Sequence, residues 1–272
     1  MFVLRVMTFN LRFENEVDGE NIWANRCDLL VRTILQYRPH LVGTQEGKPS
    51  QLSFLQEHLS GYQISAESRH WDDHCQYPTL FYLEEFFRVI GGDEFWLSET
   101  PRIHLSKNWD SAFPRMISYA ELEVRETRQR LWASVTHLDH ISQHARIEAA
   151  KMICDWAVTR RAPTVIAGDF NDYPGSKVHR VLTLPQGPFI DTWEVLNRLE
   201  DESSYTQHGF TGVGVKGRID WILATPEFRV LDATIGRDNE GGRYPSDHFP
   251  YWVDLALGGT PPVSLEVRSE RA

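Results

Sequence analysis

Carboxylate, amide and imidazole side chains recur in this chain just where apolar segments end: Asn10, Glu46, His137 with Asp139, Asp169 with Asn171, Asp220, and Asp247 with His248. Strand ends are where a rigid sheet presents side chains to a common site, and these groups together could assist attack of water on a phosphate ester. An oxygen ligand such as Glu46 suits a hard cation, Mg²⁺ with Mn²⁺ as a substitute. Such an ion keeps several waters and needs only one or two protein carboxylates beside the substrate phosphate. Taken singly, each residue also has a plainer reading. Asn10 could be a turn former, Glu46 a solvated strand end, Asp169-Phe170-Asn171 an Asx-turn, and Ser246-Asp247-His248 a capped loop with a core histidine. Asp220 resists such a reading, because it lies between Ile219 and Trp221-Ile222, and a buried carboxylate needs a partner, for which His248 is the candidate.

The elements that must position these residues follow from periodicity. Strands are expected over 2–10, 41–44, 62–65, 79–83, 86–97, 116–124, 131–137, 163–168, 219–224, 228–235 and 251–257. A helix is expected over 23–37, where Cys27, Leu30, Val31, Ile34 and Leu35 fall on one face, and it ends before Pro39. Pro49 opens a second helix, Ser142 precedes a long one reaching Arg160, and a short one spans 176–184. Strands mixed with helices predict an α/β protein whose sheet layers are covered by helices. One domain is expected over 1–258, followed by a polar tail over 259–272.

The chain has 272 residues, 41% hydrophobic and 24% charged, the usage of an ordinary globular protein, which excludes disorder and collagen-like repetition. At this size the core needs neither disulfides nor structural metals. Lys plus Arg number 28 against 38 Asp plus Glu, a net charge of −10, which disfavours a grip on long nucleic acid through many phosphates. The three cysteines lie far apart with no CxxC pair, and neither a signal peptide nor a membrane-spanning stretch is evident, so a cytoplasmic protein with no membrane insertion is expected, and, because the predicted core elements account for the apolar residues, a monomer.

Thr136-His137-Leu138-Asp139-His140 resembles part of the HxHxDH zinc motif of metallo-β-lactamase-fold hydrolases. Val135 stands where that motif has a histidine, and oxygen ligands dominate the other strand ends, so zinc is set aside. In order along nearly the whole chain, Thr8-Phe9-Asn10, Gln45-Glu46, Thr136-His137-Leu138, Gly168-Asp169-Phe170-Asn171, Arg218-Ile219-Asp220-Trp221 and Ser246-Asp247-His248 resemble the endonuclease/exonuclease/phosphatase superfamily. That resemblance implies the deoxyribonuclease I-like fold, a four-layer sandwich of two β-sheets packed face to face with helices outside.

It also implies roles. Glu46 would hold the cation with Asn10 and Asp247 close by, and Asp220 would fix the tautomer of His248, which orients or deprotonates the attacking water. Asn171 would donate its amide to the water or a phosphate oxygen, and His137 would stabilise developing charge. Asp169 would protonate the departing oxygen or orient the nucleophile. One departure stands out: where deoxyribonuclease I has a glutamate partnering the histidine that corresponds to His137, this chain offers Gln76, which cannot relay a proton.

Among the rim residues, Arg115, Trp71, Tyr77 and Phe210 are expected to bind substrate, the aromatics by stacking a base for about 1–3 kcal/mol. The expected activity is a metal-dependent phosphodiesterase, a 3'-5' exonuclease-like nuclease on single-stranded or short nucleic acid. The alternative is a phosphomonoesterase acting on a nucleotide, sugar phosphate or lipid headgroup, and a non-catalytic binding module comes third.

Overall fold

Alternation along Val3–Asn10 (β1) sends Leu4 and Val6 to one face and Met7 and Phe9 to the other, so this strand is apolar on both sides and belongs inside a layered protein. The structure, a computed structural model, describes residues 2–66 and 69–258, and the tail expected over 259–272 lies outside the described residues. The other strands are Leu41–Gly47 (β2), Tyr62–Ile64 (β3), Tyr77–Leu83 (β4), Phe87–Trp96 (β5), Met116–Val124 (β6) and Arg130–His137 (β7). They continue with Thr164–Asp169 (β8), Ile190–Asp191 (β9), Asp220–Ala224 (β10), Phe228–Ile235 (β11) and Tyr251–Leu257 (β12).

They form two six-stranded sheets, ordered β11-β12-β1-β2-β4-β3 and β5-β6-β7-β8-β10-β9. Each sheet is antiparallel except for one parallel pair, β1 with β2 and β7 with β8. The sheets bury one core between them, with Leu4, Val6, Leu41, Ala133, Val135, Ala167 and Val253 among its members. Gly43 is required there: a Cβ at this position would stand 3.0 Å from Ala167 Cβ and 3.1 Å from Val135 Cγ2, so its absence lets the sheets approach.

Helices Trp23–Tyr37 (α1) and Pro49–His58 (α2) cover the first sheet, and Gln143–Arg160 (α3) and Lys177–Leu182 (α4) the second. Ser142 caps α3 by accepting the Ala145 N–H, as its placement predicts. The result is the four-layer sandwich expected from the sequence. Among the described residues, no helix is long and apolar enough to cross a membrane.

Candidate active site

Register brings the chemistry together. His137 pairs with Asp169 across β7 and β8, Asp169 pairs with Asp220 across β8 and β10, and Asn10 ends β1 opposite Gln45 of β2. Glu46 follows, in a bulge between β2 and β4 and with φ of 63°, a left-handed conformation, and its side chain meets Asn10 and the Phe13 N–H at the cleft. The strands of the two sheets therefore end at one cleft, a cavity of about 320 Å³ lined by Arg12, Phe13, Glu46, Gln76, Phe113, Arg115, His137, His140, Asp169, Asn171, Gln207, Lys216, Asp247 and His248.

Its floor is a hydrogen-bonded network. His248 Nδ1 lies 2.8 Å from Asp220 Oδ2, and its other ring nitrogen lies 4.0 Å from Asp169 Oδ2. Burial alone would lower the His248 pKa, but Asp220 first, then Asp247 and Asp169, raise it to about 10. Asp169 is raised as well, up to about 7, through burial and then repulsion from Asp220. Its Oδ2 accepts from the Asn10 amide at 3.0 Å, and its Oδ1 accepts the Asn171 N–H at 2.9 Å. The latter bond is the Asx-turn that the plainer reading of Asp169-Phe170-Asn171 expects, so turn and site are one structure.

Hydrogen bonding bears on three of the expected roles. Asn171 Nδ2 donates to the Leu138 carbonyl oxygen at 3.0 Å and lies 3.0 Å from His137 Nε2. The carbonyl fixes the amide's orientation, both amide hydrogens are used, and none remains to donate to a phosphate. The same contact makes His137 Nε2 an acceptor. Burial, and then the charges of Arg115 and His248, hold the His137 pKa well below 6.5, so it is a neutral ring rather than a cation for developing charge. Asn10 turns its amide nitrogen to Glu46 Oε1 at 3.2 Å as well as to Asp169, while its oxygen accepts the Arg12 N–H. It orients two carboxylates, and its oxygen, with one N–H accepted, keeps a lone pair for an ion at Glu46.

The expected substrate contacts divide. Arg115 lines the cavity. Tyr77 does not: it is fully buried, its hydroxyl accepts the Asp72 N–H, and a side chain with no exposed surface cannot stack on a ligand. Trp71 meets Tyr77 edge-on and Arg69 in a cation–π contact instead of facing the cleft, and Phe210 packs against Arg26. Asp139 serves the loop, accepting from Ala112, Ile141 and Ser142 backbone N–H groups, and lies 3.7 Å from Arg115 Nε.

Residues not singled out from the sequence matter equally. Arg12 and Phe13 follow Asn10 into the cleft, with the Arg12 guanidinium 4.7 Å from the Phe13 ring centroid. Arg26 of α1 is buried and donates to the carbonyls of Leu11, Arg12 and Pro245, tying the turn after Asn10 to the turn before Asp247. Its spacing four residues before Leu30 puts an arginine on the helix's apolar face, a signal that was available in the sequence.

Glu46 fits a divalent cation. Its oxygens each accept only one neighbour, Asn10 and the Phe13 N–H, which leaves lone pairs for a metal, and Asp247 lines the same cavity. Asp169, Asp220 and His248 also cluster, but there Asp220 Oδ2 is engaged by His248 Nδ1 at 2.8 Å and Asp169 Oδ2 by the Asn10 amide at 3.0 Å. His179, Asp191 and Glu194 are closed as well. His179 Nδ1 accepts the Gly175 N–H, so Nε2 carries a hydrogen toward Asp191, 2.8 Å away.

Beneath the site, His208 stacks on Phe249 with ring centroids 3.9 Å apart, and burial, then the charge of His248, lowers its pKa to about 4. Because the folded value lies below the unfolded one, the neutral ring's contribution to stability is complete above about pH 6.5 and is lost as pH falls toward 4. His208→Gln, compared with the wild type by thermal unfolding, is therefore expected to gain relative Tm steadily from pH 6.5 to 4.

Fold and site together define a hydrolase of phosphate esters. The chain belongs to the endonuclease/exonuclease/phosphatase family, whose model matches residues 7–248. It is similar to a solved endonuclease/exonuclease/phosphatase from Bacteroides vulgatus, with 27% identity, TM-score 0.85, 94% of this chain and 100% of that one. It is also similar to a mannosyl-6-phosphatase of Bacteroides thetaiotaomicron, with 26% identity, TM-score 0.83, 93% of this chain and 100% of that one. Danio rerio TDP2 complexed with a single-strand DNA product shares the fold at 17% identity and TM-score 0.75, over 94% of this chain and 100% of that one. No curated protein sequence matches the chain.

Proposed function

We propose that the protein is a phosphomonoesterase dependent on Mg²⁺ or Mn²⁺, acting on a small phosphorylated molecule such as a sugar phosphate. The observation that carries this reading is the convergence of Arg115 and Lys216 on a cavity of about 320 Å³ floored by Asp169 and His248. A terminal phosphate carries close to two negative charges near neutral pH and a diester one, so Arg115 and Lys216 beside a metal match the monoester better, while Arg12 is paired with Asp18 at 2.7 Å. The similarity to a mannosyl-6-phosphatase points the same way. The nuclease reading keeps one observation of its own: Phe13 and Phe113 line the cavity and could stack a terminal base.

Glu46 and Asp247 would hold the cation, whose chemistry is to polarise the phosphoryl group and stabilise charge on the leaving oxygen. Arg115 and Lys216 hold the phosphate. His248, its Nδ1 hydrogen directed to Asp220, donates its Nε2 hydrogen to a phosphoryl oxygen. Asp169 takes a proton from the attacking water, the Asn171 side-chain oxygen accepts the water's second hydrogen, and the departing alkoxide on the opposite side of the phosphorus takes its proton from solvent.

Parallel turnover of p-nitrophenyl phosphate and bis(p-nitrophenyl) phosphate tests the choice, with His248→Ala as the contamination control. The monoester's kcat/KM is expected to exceed the diester's by at least about tenfold. The reverse ratio would move the nuclease reading to first place.

A further inference from the structure

A second cavity, of about 160 Å³, opens beside the first and shares its Gln76, Phe113 and Arg115. Its remaining walls are mostly apolar beside the charged floor next door: Leu105, Pro114 and the Cys75 thiol, which burial pushes up to about 11 and so keeps neutral, together with the exposed His74. Phe113 stands between the two spaces with 55% of its surface exposed. A single exposed phenylalanine is ordinary, but this one is braced. The neighbouring Ala112 N–H donates to Asp139 Oδ2 at 2.9 Å, and the Ser111 hydroxyl lies 2.7 Å from the Phe113 carbonyl oxygen. The ring itself is stacked with His140 at 20° between planes, centroids 5.7 Å apart. A fixed aromatic face at the junction of a cationic chamber and an apolar one is a stacking platform that loses little side-chain freedom when a ligand arrives.

We propose that this annex is the leaving-group subsite, and that it selects phosphate esters whose alcohol is a single six-membered ring with a flat, weakly polar face, seated against Phe113. Size supports one ring, since a cavity of about 150 Å³ holds one benzene. Position supports the leaving group: with the phosphate held between Arg115 and the Asp169–His248 floor, the ester oxygen's substituent is the part of the substrate that extends past Arg115 into the shared wall. The inference rests on the phosphomonoesterase reading, and its test separates the two.

The purified protein is assayed with Mg²⁺ on phenyl phosphate and methyl phosphate, as wild type, Phe113→Ala and Leu105→Phe, the last narrowing the annex from its far wall. Binding of phenylphosphonate and methylphosphonate, which are not hydrolysed, is measured in parallel by calorimetry. Comparing each variant with the wild type on the same substrate cancels the intrinsic difference between phenol and methanol as leaving groups. Expected is a five- to tenfold fall in the phenyl-over-methyl ratio of kcat/KM in both variants, with the same fall in the ratio of phosphonate affinities. An unchanged ratio in both variants, with both esters still hydrolysed, would overturn the annex and leave the phosphomonoesterase reading standing. Hydrolysis of neither ester and binding of neither phosphonate by the wild type would overturn the phosphomonoesterase reading, and the annex with it.

Discussion

Asp169→Asn is expected to lower kcat by about 10²–10⁴ while the protein unfolds at the same temperature as the wild type or a higher one. The loss follows from where Asp169 sits. It lies 3.5 Å from His137 Nε2 and 4.0 Å from His248 Nε2 and accepts from Asn10 and the Asn171 backbone, so it is the one carboxyl in contact with every element of the floor. An asparagine keeps the shape and cannot take a proton. The stability side follows from linkage. A carboxyl whose folded pKa is raised from 3.8 to about 7 costs the fold nothing below pH 3.8 and its full charge penalty above about pH 7. The variant should therefore gain more over the wild type at pH 8 than at pH 5. Steady-state kinetics and thermal unfolding at those two pH values check both halves, and a variant that loses activity only by unfolding would refute the assignment.

The second large effect is expected at the metal. Chelation should abolish turnover and added Mg²⁺ or Mn²⁺ restore it, and Glu46→Gln should reduce kcat by about 10²–10³, equivalent to the several kcal/mol that a Lewis acid contributes. The substitution preserves the length of the side chain and one of the two acceptors that meet Asn10 and the Phe13 N–H, but replaces the other oxygen with an NH2 and removes the charge that a hard cation requires. Titration of activity with Mn²⁺, beside calorimetry of Mn²⁺ binding to the two proteins, measures it. Retained Mn²⁺ affinity in the variant would assign the ion to other ligands.

Much of this was legible in the sequence because the elements are long and strongly patterned. The helix Trp23–Tyr37 and the strands Met116–Val124, Phe228–Ile235 and Tyr251–Leu257 have the bounds that periodicity gives. The 3-10 turns at Glu16–Asn21 and Glu194–Leu196 and the two-residue strand Ile190–Asp191 were not foreseen, being too short to carry a period. At the site, residue type and strand ends identified which side chains meet, since register alone aligns His137, Asp169 and Asp220. What each one donates or accepts was not readable. The direction of the Asn171 amide depends on the Leu138 carbonyl, and that of Asn10 on the Arg12 N–H, contacts that exist only after folding. The rim aromatics were the least legible, because Trp71, Tyr77 and Phe113 look alike in a loop, and only packing decides that Tyr77 faces inward and Phe113 outward.

The pairing of β1 with β12 bears on when the protein can first work. Thr8 lies opposite Tyr251, so the strand that delivers Asn10 is completed on that edge only by a strand made after all the others of both sheets, and His248 emerges just before it. During translation the earlier carboxylates are in place long before their imidazole, and the first sheet waits with an open edge. Such distant pairing slows folding and exposes the nascent edge to neighbouring chains. Turnover should therefore begin only once β12 has docked, and its onset in a synchronised translation reaction would report that event.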